Sequence, residues 1–178
     1  MPLHAETERL KIETLRVRHA PLLFPVIADP RLYRYVPERP PESIAALVRR
    51  YKELNRGAPV GSSETWLNWV VRLRSEPVWL GTLQATVVPK RTAYIGYVVS
   101  ATHWSRGFAT EGCTWLVRHL FEQLGTAEIR ASVDTRNEAS WRLLERLGFV
   151  REGEHPLELH GRPAVDYHYR LSRRGAPP

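Results

Sequence analysis

The sequence predicts a mixed α/β domain of the α+β kind, with helices laid on a largely antiparallel sheet of six to seven strands flanked by about four helices. Three features carry this prediction. Residues 65–99 are rich in Trp, Val, Thr and Tyr and are broken only by short connectors. Residues 108–124 and 137–147 carry apolar side chains at helical spacing. Between and after those two helices lie further short β-rich runs, so the predicted order is β, α, α, three strands, α, β, α, β, β.

Residues 7–17 read as a first strand. The apolar segment HAPLLFPVIADP follows; Pro25 stands there where a helix would want a backbone donor, so a kink or a broken turn is expected. Ser43 caps a helix in which Ile44, Leu47, Val48, Tyr51 and Leu54 recur at near-helical spacing and predict one buried face. TWLNWVVRL, VWLGTLQATVV and AYIGYVV are strands, and the connectors RSEP and PKRT are short enough for antiparallel hairpins. A helix over about 108–124 sets Cys113, Leu116, Val117, Leu120 and Leu124 on one stripe and stops at Gly125. EIRASVDT is a further strand, NEASWRLLERL a helix closed by Gly148, and two last strands surround 149–154 and 165–171. The Pro/Gly/Ser-rich stretches 36–43 and 55–64 are connectors too short to divide the chain. A single domain over 1–178 is expected, with its core at about 7–171 and a tail at 172–178.

Composition narrows the function. Hydrophobic residues at 43% and charged residues at 25% are ordinary for a globular protein. No apolar run approaches the roughly 20 residues that cross a membrane. The opening MPLHAETERL carries acids and no apolar core, so no signal peptide is expected. The single cysteine excludes an internal disulfide and fits a reducing cytoplasm. The seven histidines form neither an H-E-x-x-H motif nor a Cys/His cluster, so no metal is expected. A net charge of +7 favours anionic partners such as a phosphorylated cofactor, RNA or an acidic peptide, and equally fits an arginine-rich composition with no special partner. The arginines are dispersed and no RNA-recognition signature is present, which speaks against specific nucleic-acid binding.

The most informative stretch is YIGYVVSATHWSRGFATEG, residues 94–112, where a strand turns into a helix. The first N–H groups of a helix are unpaired and sit at the positive end of its dipole, which makes an anion site. Gly107 and Ala109 keep the turn bare, Arg106 adds charge and Thr110 a hydroxyl. Such a turn suits a pyrophosphate. It is neither a Walker loop nor a G-x-G-x-x-G dinucleotide loop.

Thirty residues on, DTRNEASWRLLERLGF places Asn137 and Ser140 at the start of a helix that runs to Gly148-Phe149. Together with Trp104, Gly107, Thr110 and Glu111, this order of motifs resembles the Gcn5-related N-acetyltransferases, and more narrowly the RimJ/RimL branch that acetylates protein N-termini. The resemblance spans about residues 7–171. It implies acetyl-CoA as co-substrate. Backbone groups of Val98 and Val99 would run along the pantetheine arm, and the N–H groups of Arg106, Gly107, Phe108, Ala109 and Thr110 would hold the pyrophosphate. Asn137 would hydrogen-bond the pantetheine, Ser140 would lie near the sulfur, and Arg142 would reach a CoA phosphate. The Val99 N–H is the implied oxyanion donor. Many members carry a tyrosine where this chain has Leu144, and use it to protonate the leaving thiolate. Ser140 is therefore the better acid here.

Acetyl transfer from a thioester to an amine needs a neutral amine, an oxyanion donor and a proton for the thiolate. An α-amino group of pKa about 7.8 is roughly one-third neutral at pH about 7.5, against about 0.1% for a lysine of pKa about 10.4. That gap is about 300-fold, or ~3.4 kcal/mol, in favour of an α-amine wherever no strong base is present. Glu111 is the first candidate base, although an acid in a helix's first turn also serves the dipole. Glu64 and Glu158 are weaker candidates acting through water. Tyr97 lines the cleft or packs, and His155 and His160 flank the last hairpin. Cys113 belongs to the apolar stripe, so direct transfer in a ternary complex is expected rather than an acetyl-cysteine intermediate. The expected acceptor is the α-amino group of a protein or peptide N-terminus. The alternatives are a small-molecule amine (an antibiotic, a polyamine or an amino acid) and a non-enzymatic basic module binding nucleic acid or the ribosome. The six tryptophans leave a homodimer through a sheet edge open.

Overall fold

The computed structural model describes residues 4–173. Its strands are β1 (His4–Glu6), β2 (Leu10–Thr14), β3 (Thr65–Leu73), β4 (Trp79–Val88), β5 (Thr92–Val99), β6 (Glu128–Asp134), β7 (Val150–Leu159) and β8 (Arg162–Ser172). Four α-helices accompany them: α1 (Ala20–Ile27), α2 (Ile44–Arg56), α3 (Phe108–Glu122) and α4 (Glu138–Arg146). The strands form one sheet in the order β1-β2-β3-β4-β5-β6-β8-β7. The sheet has eight strands because residues 7–17 do not make one strand. The chain reverses between Glu6 and Leu10, where the Thr7 N–H donates to the Leu10 carbonyl at 2.9 Å and the Leu10 N–H to Thr7 Oγ1 at 3.1 Å.

Every neighbouring pair is antiparallel except β5 and β6, which run parallel and pair only at Thr92–Tyr94 against Glu128–Arg130. β5 then continues to Val99 and β6 to Asp134 without pairing to each other. The sheet is split at this point.

Alternation along the strands sends successive side chains to opposite faces. On one face Leu83, Ile129 and Tyr169 pack with Leu116 and Leu120 of α3 and Leu143 and Leu144 of α4. On the other, Val70 packs with Leu23 of α1 and Leu47 and Tyr51 of α2. Cys113 is fully buried in the first of these cores, as its stripe predicts. Truncating a buried leucine such as Leu116 or Leu47 removes about 2–5 kcal/mol.

Several sequence expectations are corrected. α1 runs through Pro25, which forgoes the backbone bond to the Pro21 carbonyl without ending the helix. Ser43 does cap α2, accepting the Ala46 N–H at 3.1 Å, but Ile44 is exposed rather than on the buried face. α3 ends at Glu122, and Leu124 leaves the stripe for solvent as the chain turns through Gly125. β7 and β8 are longer than expected, because His160 and Gly161 both adopt positive φ and close a tight two-residue hairpin.

Candidate active site

The split between β5 and β6 opens beside the first turns of α3 and α4. The Ser100 N–H donates to the Leu80 carbonyl at 2.6 Å, so Ser100 faces β4. The Val98 carbonyl faces β4 too, lying 1.9 Å from where a side chain at Gly81 would begin. Gly81 (φ +155°) leaves the space that this approach needs. Successive residues of an extended strand turn their N–H and C=O groups to opposite edges. The backbone polar groups of Val99 therefore point away from β4, into the gap that β6 has vacated. The Val99 carbonyl there accepts the Trp104 indole N–H at 2.8 Å. Of the two valines, Val99 offers its N–H to the cleft, whereas the Val98 carbonyl is turned to the neighbouring strand.

The loop into α3 is shaped by Gly107, whose φ of +80° places it as the helix N-cap in the left-handed region. The helical ladder begins when the Glu111 N–H donates to the Gly107 carbonyl at 3.0 Å. The N–H groups of Phe108, Ala109 and Thr110 precede that ladder and lie where an anion would be received. The Phe108 ring is buried and anchors the turn, with the guanidinium groups of Arg9 and Arg106 at 4.6 and 5.2 Å from its centre. Arg9 also donates to the Arg106 carbonyl at 3.0 Å.

Glu111 is turned toward the β1–β2 reversal. Its carboxylate accepts from the Thr7 hydroxyl, from the Arg9 backbone N–H at 2.8 Å and from Arg9 Nε at 2.7 Å. Burial pushes its pKa up, but the bonds from Thr7 and Arg9 outweigh burial and hold it below the usual carboxylate range. Among the other acids, Glu64 accepts the Trp66 indole N–H at 2.8 Å, and Glu158 is exposed on the last hairpin.

Asn137 is the N-cap of α4, and its side-chain oxygen lies 3.4 Å from the Ser140 N–H. Tyr97 reaches across from β5: its hydroxyl lies 2.6 Å from Ser140 Oγ and 3.3 Å from the Ser140 carbonyl oxygen. Burial pushes the Tyr97 phenol far above its ordinary pKa. Arg142 is exposed and paired with Glu138 at 2.6 Å. Leu144 is 1% exposed and belongs wholly to the core.

The opposite face of the sheet holds a group that sequence reasoning did not find. Asp134 and Asp166 are register partners on β6 and β8. Asp134 is buried and accepts from Arg136 at its backbone N–H (2.9 Å), Nε (2.8 Å) and a terminal guanidinium nitrogen (2.6 Å). These bonds hold it below the usual carboxylate range. Burial, and then the charge of Asp134, push Asp166 the other way. His155 is the register partner of Asp166 on β7, and its ring stacks on His168 with centres 3.7 Å apart. The hairpin tip meets the segment before the 36–43 connector, with His160 Nε2 3.2 Å from the Tyr33 carbonyl. The only sequence signal for this group was strand alternation, since Val133 and Tyr167 beside the two acids pack into the core.

Among the described residues no cluster of His, Cys, Asp or Glu could hold a metal, and no helix is long and apolar enough to cross a membrane.

Comparison with known proteins agrees with this geometry. An acetyltransferase (GNAT) domain profile matches residues 9–150. An uncharacterized N-acetyltransferase of Bacillus subtilis, YoaA, is 31% identical over 150 residues, 83% of each chain. Mycobacterium smegmatis RimJ, solved in complex with CoA-disulfide, has a TM-score of 0.83 at 22% identity, covering 95% of this chain and 84% of that one. The ribosomal-protein-S5-alanine acetyltransferase of Vibrio fischeri has a TM-score of 0.83 at 20% identity, covering 99% and 100%. A parallel pair that splits, a bare turn leading into a long helix and a profile over most of the length converge on one reading: the chain belongs to the GNAT acetyltransferases, with acetyl-CoA as co-substrate.

Proposed function

We propose that the chain transfers acetyl directly from acetyl-CoA to the neutral α-amino group of a peptide or protein N-terminus. The carrying observation is the cleft between β5 and β6, beside which the Val99 N–H and the Ser140 hydroxyl stand while Glu111 is engaged by Thr7 and Arg9. A site so equipped can stabilise an oxyanion and protonate a thiolate, while Glu111, held by Thr7 and Arg9, is not free to take the amine's proton. The site is matched to an amine already partly neutral at working pH. The fold likeness to an enzyme named for a ribosomal protein's alanine supports the same acceptor class.

In this reading the N–H groups of Arg106 to Thr110 hold the pyrophosphate, and Arg106 and Arg142 lend charge to the phosphates. Val99 and Asn137 hold the pantetheine arm. The amine approaches from the face away from α3 and α4, past Asp134, Asp166 and His168. Its nitrogen attacks the thioester carbon, and the Val99 N–H receives the oxyanion. The C–S bond then breaks, and Ser140 supplies the thiolate's proton. The nitrogen's surplus proton leaves to water, from which Ser140 is reprotonated. Glu111 braces the loop.

The test is acetyl transfer from acetyl-CoA, followed by thiol release and mass spectrometry. The acceptors are peptides with free N-termini, the same peptides N-blocked but bearing lysine, and a panel of aminoglycosides and small amines. Turnover confined to free N-termini is the expected result. Turnover confined to lysine or to small amines would overturn the acceptor assignment.

A further inference from the structure

We propose that Tyr97 is a positioning residue for the proton donor: its phenol fixes the Ser140 hydroxyl so that the serine proton is left for the departing sulfur. This rests on the acetyl-transfer reading and on Ser140 as the acid. Three observations support it. The Tyr97 hydroxyl lies 2.6 Å from Ser140 Oγ, a short contact between two groups 43 residues apart and on opposite sides of the split in the sheet. A phenol is a much stronger acid than an alcohol, so in an O–H···O pair of this kind the tyrosine is the natural donor and the serine oxygen the acceptor. With one of its two lone pairs so engaged, Ser140 keeps its own proton, directed away from the phenol. Finally, Leu144, one turn further along α4, is 1% exposed and sealed in the core, so it offers the site no polar group. Here a phenol reaches the start of α4 from β5 instead.

Tyr97 is not itself the acid. Burial disfavours the tyrosinate that proton donation would leave behind. The proton that the sulfur gains on C–S cleavage comes from Ser140, and Ser140 recovers one from water; Tyr97 ends the cycle as it began. Its ring packs against the core on the α3 and α4 side, so phenylalanine can keep the packing and remove only the hydroxyl.

The experiment compares Tyr97→Phe, Ser140→Ala and the double variant, using acetyl-CoA and the fastest acceptor of the panel above. CoA affinity is measured separately by calorimetry. Ser140→Ala is expected to lower kcat by about 100-fold, the lower end of the range for general acid catalysis. Tyr97→Phe is expected to lower kcat by a similar factor with KM for acetyl-CoA and the Kd of CoA unchanged, and the double variant to be no slower than Ser140→Ala alone. A Tyr97→Phe enzyme with wild-type kcat, beside an impaired Ser140→Ala, would overturn the role of Tyr97 and leave Ser140 standing. A loss in Tyr97→Phe that appears in Kd rather than kcat, or that multiplies with the Ser140 loss, would assign the tyrosine to structure alone. Wild-type kcat in Ser140→Ala would remove the acid itself, and Tyr97's role with it.

Discussion

Arg9 and Glu111 stand 102 residues apart in sequence and are joined twice, through the Arg9 backbone N–H at 2.8 Å and its Nε at 2.7 Å. The same guanidinium reaches the Arg106 carbonyl at 3.0 Å, so the turn between β1 and β2 braces the loop that leads into α3. A brace and a base make opposite predictions. If Glu111 holds the loop, Glu111→Gln and Arg9→Ala each weaken CoA binding by about 10-fold, or roughly 1.4 kcal/mol, with a smaller change in kcat. Calorimetry with CoA, set beside steady-state rates, checks this. A large fall in kcat at unchanged CoA affinity would return Glu111 to the chemistry.

Gly107 should tolerate no acid. Its φ of +80° strains any other residue, and a side chain there starts 3.3 Å from the Arg9 guanidinium. Gly107→Ala is expected to cost about 1–3 kcal/mol of local strain and to weaken cofactor binding accordingly. Gly107→Glu also sets a negative charge where the pyrophosphate is to lie, and saturable acetyl-CoA binding should vanish. The exposed Trp104 gives a fluorescence readout for both variants.

Acid should loosen the start of α1 through His19. The ring is 2% exposed, and its Nδ1 accepts the Arg16 N–H at 3.0 Å. Burial, and then the charge of Arg18, hold its pKa below 6.5. A group depressed on folding contributes stability that is full above the unfolded value and is lost as pH falls through the folded one. The melting temperature should therefore drop as the pH is lowered from about 6.5. His19→Asn should lower it at neutral pH and flatten that dependence.

Asp134 and Asp166 should respond to pH with opposite signs. Asp166 is raised on folding by burial and by Asp134, against the opposing influence of His168 and Arg136, and the His155 backbone lies beside it. Its folded state favours the protonated acid, so its contribution is present below the unfolded value of 3.8 and is lost as pH rises through the folded value. Asp166→Asn should raise the melting temperature at pH about 7 and change little near the ordinary aspartate pKa of about 3.9. Asp134 is depressed by Arg136, so its contribution is present above 3.8 and lost as pH falls. Asp134→Asn should destabilise at neutral pH. Thermal melts of both variants across pH are the measurement.

Much of the fold was legible because local chemistry announces itself. Ser43, Asn137, Gly107 and Gly148 mark helix ends wherever they stand, and the Trp- and Val-rich runs of 65–99 can scarcely be anything but strands. What escaped depends on partners distant in the chain. The reversal at Thr7–Arg9 carries neither Gly nor Pro, and it is held partly by Glu111. The outward swing of Leu124 follows from where α3 must stop to meet β6. In the site, the bare turn at Gly107 and the helix start at Asn137 were legible from spacing, while a role for Ser140 came only from the family resemblance. For Tyr97 the sequence left cleft lining and packing both open, because a strand tyrosine that packs and one that meets a helix hydroxyl read alike. Asp166 was hidden for a related reason: its environment is made by a neighbour 32 residues earlier and visible only in the register.

The three paired positions between β5 and β6 give the sheet a short seam with a long plate on either side. An extended, amide-bearing pantetheine arm laid against Val99 would act as the missing rungs of that ladder. Cofactor and protein would then share one hydrogen-bonded surface, so that the enzyme's architecture is finished only when its co-substrate is in place. Each turnover would remove and restore a structural member as well as a reactant.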